Sequence, residues 1–90
     1  MIFPGMDEHD FATFFIVVKQ DQIKQELNIK KLYIEMAIKT VYDFVLKNKD
    51  NIQSKFKNQY DKLFDDGFYA DIIKLLKDAK KHGIPMEFEL

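Results

Sequence analysis

Cysteine and arginine are both missing from this 90-residue chain, and glycine occurs only three times. Without cysteine there can be no disulfide, no thiolate metal site and no thiol nucleophile. A secreted domain of this size ordinarily carries disulfide staples, so a cytoplasmic location is expected. Without arginine the chain lacks the fork that grips carboxylates, phosphates and guanine edges bidentately, and lysine offers only a point charge in its place. Three scattered glycines leave no glycine-rich loop to cradle a phosphate. No apolar run approaches the ~18 residues that span a bilayer. The start, Met1-Ile2-Phe3-Pro4-Gly5-Met6-Asp7-Glu8, turns acidic at once and lacks the basic region of a signal peptide.

What is present fits one folded domain over residues 1–90. Hydrophobic residues make up 47% of the chain, inside the usual globular range of about 45–50%. At this length roughly 60% of the unfolded surface can be buried, enough for one small core. Nine Phe and four Tyr supply much of it.

Helical spacing dominates the pattern. Asp7, Glu8 and Asp10 put negative charge where a helix N-terminus favours it, and Phe11, Phe14, Phe15 and Val18 follow at helical intervals. The run 14–18 is apolar on all sides and rich in β-formers, so helix is favoured there with a buried strand as the alternative. Ile23, Leu27, Ile34, Ala37, Ile38, Val41, Phe44 and Val45 share one broad helical face. Lys30 and Lys31 interrupt that stripe and Asn28 suits a new N-cap, leaving open one helix over 21–47 or two pieces broken near Asn28. Ile52, Phe56, Tyr60, Leu63 and Phe64 predict a third helix, closed by Gly67 in the left-handed position. Ile72, Ile73, Leu75, Leu76 and Ala79 predict a last helix over 68–82, with Lys77, Lys80, Lys81 and His82 at the negative end of its dipole. Gly83-Ile84-Pro85 is the strongest stop in the chain. Met86-Glu87-Phe88-Glu89-Leu90 then alternates like a half-buried strand. The expected fold is all-α in the main: a bundle of three or four helices with a short arm at 1–6, a tail at 84–90, and a terminal strand as an optional addition.

Candidate chemistry is sparse. Asp7, Glu8, His9 and Asp10 are adjacent on a helix and point apart, which suits a solvated helix start better than a metal site. Asp61, Asp65, Asp66 and Asp71 lack the ligand spacing of a calcium loop. Ser54 sits on a polar helix face, and with Thr13, Thr40, His9 and His82 forms no nucleophile setting. Neither catalysis nor a cofactor or metal is expected.

Two surfaces remain. Phe3, Tyr33, Tyr42, Phe68 and Tyr69 lie off or at the edge of the core stripes, and such rings are enriched at partner surfaces. They suggest a non-catalytic protein-interaction module, a small regulator or inhibitor of another protein, of a kind familiar from phages and mobile elements. The alternative is a nucleic-acid-associated regulator using the lysine-rich middle. Residues 19–57 hold nine Lys against Asp21, Glu26, Glu35, Asp43 and Asp50, a net of +4. Lys24, Lys31, Lys39, Lys49, Lys55 and Lys57 are its candidate phosphate contacts, although solvation alone also explains such charges. The overall charge of −1 argues against strong general attraction to nucleic acid. A homodimer or a larger homo-oligomer is expected, because the apolar stretch 11–18 and the long face 23–45 ask for more cover than the other helices offer.

Overall fold

The computed structural model describes residues 7–56 and 66–87, the side chains of 53–56 excepted. Four helices follow one another: α1 (Glu8–Leu27), α2 (Ile34–Lys47), α3 (Lys49–Phe56) and α4 (Asp66–Lys81). No strand occurs among the described residues. The C-terminal strand is therefore not seen at Met86 and Glu87, and its remainder at 88–90 lies outside the described residues.

Asp7 starts α1. Its carboxylate accepts the Asp10 backbone N–H at 2.7 Å, satisfying one of the amides a helix start leaves unpaired. The ambiguous stretch 11–18 is helical, and the reason lies in which residues it buries. Phe11 and Phe15, Ala12 and Ile16, and Ile23 and Leu27 go inward as pairs four residues apart, while Phe14, Val17 and Val18 are left facing outward.

The long apolar segment 21–47 divides at Asn28, but not by an N-cap. Asn28 is left-handed at φ 54 and ends α1. Its N–H bonds the Gln25 carbonyl and that of Ile29 bonds Lys24, the paired closure of a Schellman motif. Asn tolerates the left-handed region better than most residues, which is why it serves here as a stop rather than a start. Gly67 also differs from expectation: it lies in the first turn of α4, whereas Gly83, at φ +88, takes the left-handed position after that helix. There Gly83 and Ile84 repeat the same closure onto Lys80 and Ala79.

Phe68 is the hub of the core. Its ring meets Phe11 at 5.9 Å, Phe15 at 5.6 Å and Phe44 at 6.2 Å, each edge to face, and so joins α4 to α1 and α2. Ile29 and Leu32 in the α1–α2 linker are buried with it. The chain after α4 turns back onto the core. Met86 is buried and its carbonyl accepts the backbone N–H of Tyr33 at 3.0 Å, so the expected tail is packed at least that far. The radius of gyration, 12.8 Å, is close to the roughly 12 Å of a folded chain of this length.

Candidate functional site

The structure disperses the aromatic set. Phe68 is 4% exposed and Tyr69 8%, so both belong to the core rather than to a partner surface. Their positions follow from α4, which turns Phe68, Tyr69, Ile72, Ile73 and Leu76 inward together. Tyr42 is half-buried with the His9 ring edge-on at 5.7 Å. Tyr33 is exposed at the start of α2, and Phe3 lies outside the described residues.

The candidate lysines also separate. Lys49 lies 3.4 Å from Glu8 at the start of α1, and Lys24 lies 3.4 Å from Asp21 near its end. Sixteen residues of helix divide these ends, about 24 Å at 1.5 Å per residue. Lys39 is exposed on α2 and Lys31 on the linker. The Lys55 side chain and Lys57 lie outside the described residues. Lys24 and Lys49 thus do not lie side by side on one stripe. Asp61 and Asp65 are likewise outside the description. Among the described residues no three His, Asp or Glu side chains converge as metal ligands.

A different lysine group comes together. Between the last turn of α1 and α4 runs a groove of about 860 Å³, within the roughly 300–1,000 Å³ typical of ligand pockets. Leu27, Tyr69, Ala70 and Ile73 give it apolar lining. Lys74, Lys77, Lys80 and Lys81 line it with Glu26 and Asp78, a net charge of +2. Lys80 Nζ donates to the Leu27 carbonyl at 3.3 Å, joining the helices and satisfying an end of α1. Lys74, Lys77 and Lys81 are exposed and make no ion pair among the described residues. Intervals of three and four place them on one face of α4. The sequence signal for Lys77 and Lys81 was the lysine crowding at the end of α4, which the helix dipole explains equally well, and Lys74 carried no such signal. Only the packing of α1 beside that face separates the two meanings.

Tyr69 shapes the same groove. Its hydroxyl is buried and has no hydrogen-bond partner among the described residues. Burial first, and the Glu26 carboxylate second, push its pKa up to about 12. The Lys19 ammonium sits over its ring, 5.8 Å from the centroid.

No protein-family model matches the chain, and no solved structure does. The chain is similar to a telomere-binding protein I1 homolog of fowlpox virus (strain NVSL), 31% identical over 80 residues. The match covers 89% of this chain but only 24% of the viral protein, so the chain spans about a quarter of that relative's length. This similarity overturns the expectation of a protein-binding regulator, and burial of Phe68 and Tyr69 removes two of the five side chains on which it relied. The alternative, association with nucleic acid, is the one it favours.

Proposed function

We propose that this chain is a non-catalytic nucleic-acid-binding module that contacts the phosphate backbone of DNA through lysine. The observation that carries this reading is the similarity, over most of the chain, to a protein whose name describes telomere binding. The groove supports it: three exposed lysines on one helix face, with no ion pair among the described residues, are available to phosphates. Lys74 to Lys81 spans about 10 Å along the helix axis, matching roughly three nucleotides of a strand at about 3.4 Å each.

The chemistry available favours backbone contact over base reading. With no arginine in the chain, the commonest bidentate contact to guanine is missing. Binding is therefore expected to depend weakly on sequence and steeply on salt, because each neutralised phosphate releases counterions. Fluorescence anisotropy with labelled DNA at ~50 mM salt tests the reading. Binding that weakens steeply as salt rises supports it, and no detectable binding at that salt ends it.

Two finer expectations accompany the proposal. The module acts in the cytoplasm, the location expected for a domain of this size without cysteine. No helix of the described residues is long and apolar enough to cross a membrane. It also pairs with a second copy. Supporting this, Phe14, Val17 and Val18 lie 40%, 49% and 56% exposed on one side of α1. Light scattering tests the pairing: a mass near the 10.7 kDa monomer across micromolar concentrations would exclude it.

A further inference from the structure

The outer face of α1 differs from an ordinary solvated helix surface. Five large apolar side chains stay exposed among the described residues, and three of them, Phe14, Val17 and Val18, lie together there. Asp10, Phe14, Val17, Asp21 and Lys24 follow at intervals of four and three, the seam spacing of two helices packed along each other. Charges of opposite sign stand at equal distances from its centre: Asp10 is seven residues before Val17 and Lys24 seven residues after it. Of α1, only Glu26 and Leu27 line the lysine groove, and neither belongs to this seam, so a contact on the seam leaves the groove open.

Resting on the pairing expected above, we propose that α1 packs antiparallel against α1 of a second copy, about a two-fold axis at Val17. The register follows from the charges. In a two-fold contact residue i meets j and j meets i. With the axis at Val17, Asp10 meets Lys24 of the second copy at both ends of the seam, each about 10 Å from the axis at 1.5 Å per residue. Phe14 then falls level with the gap between Val17 and Asp21 of the second copy, a hole of the kind that receives a seam side chain. A parallel pair would set each residue against its own copy, Asp10 on Asp10, Asp21 on Asp21 and Lys24 on Lys24, and like charges oppose it. The seam is only about 21 Å long, short of the roughly 800 Å² per partner of a stable interface, so the pair should come apart on dilution.

Because the chain has no cysteine, single cysteine variants of the 90-residue protein read the register by oxidative cross-linking. Val17→Cys puts a thiol on the axis, against its own copy, and should give a cross-linked dimer under mild oxidation. Gln25→Cys lies eight residues further along the same helix. An antiparallel pair holds its two thiols about 24 Å apart, beyond the ~7 Å between Cα atoms that a disulfide can bridge, so it should stay uncross-linked. Val17→Asp should bring the light-scattering mass down to the 10.7 kDa monomer. Its circular dichroism should stay helical, because Val17 is 49% exposed and supports no core contact. Cross-linking of Gln25→Cys as readily as of Val17→Cys overturns the antiparallel register. A wild-type dimer that Val17→Cys does not cross-link and Val17→Asp does not dissociate overturns this surface and leaves pairing standing. A monomeric wild type with no cross-linking in either cysteine variant overturns both.

Discussion

At the scale of single residues, polar groups at the helix margins carry the most specific consequences. The Asp7 carboxylate holds the Asp10 amide, so Asp7→Ala should cost about 1 kcal/mol in chemical denaturation. Glu8 is held below its ordinary pKa by its own backbone hydrogen bond first, with further help from the Lys49 ammonium. A depressed carboxyl contributes stability that is present above its unfolded pKa and lost as pH falls through the folded one. The melting-temperature gap between wild type and Glu8→Gln should accordingly hold steady from pH 7 to about 4.5 and narrow as pH falls further. Tyr69 has the opposite sign. Raised to about 12 in the fold, its neutral form contributes stability that is complete below about pH 10 and lost as pH rises toward 12. Tyr69→Phe should blunt that alkaline loss, and equal alkaline unfolding of the two proteins would remove Tyr69 from the account.

At the scale of elements, helix ends are set by left-handed residues more than by composition. Gly83 sits at φ +88 with open space where a Cβ would point, so Gly83→Ala should cost only backbone strain, roughly 1–2 kcal/mol by thermal denaturation. Asn28→Val should cost as much or more, because a β-branched residue resists φ 54, while Asn28→Gly should be neutral or slightly stabilising. These two ends also mark what periodicity can and cannot reveal. Gly83-Ile84-Pro85 has one physical meaning and was legible at once. Asn28 has two, since asparagine caps either end of a helix, and only the buried linker residues Ile29 and Leu32 decide that it stops α1. Gly67 misled for a related reason: following two aspartates it resembles a turn, yet acidic residues equally suit the start of a helix, which is where Asp66 lies. The apolar run 11–18 was ambiguous because it is apolar all round, and its helical state follows from what α2 and α4 bury.

At the scale of the whole molecule, Phe68 ties three helices together, and Phe68→Ala should cost about 3–5 kcal/mol in denaturant. The same packing explains why the candidate site was less legible than the fold. Four helical stripes can be read along the chain, but a groove exists only once α4 lies beside the last turn of α1. Lysines counted along the sequence therefore pointed to the middle of the chain, where Lys24 and Lys49 end up at opposite ends of α1. The tertiary fold shifts the emphasis to Lys74, Lys77 and Lys81. Their role is tested most directly by the salt dependence of DNA affinity, measured for wild type and for the triple alanine variant at these positions. If they hold phosphates, the slope of log affinity against log salt should fall by about 0.9 for each lysine lost on duplex DNA and about 0.7 on a single strand, with the fold intact. An unchanged slope in a folded triple variant would contradict the account.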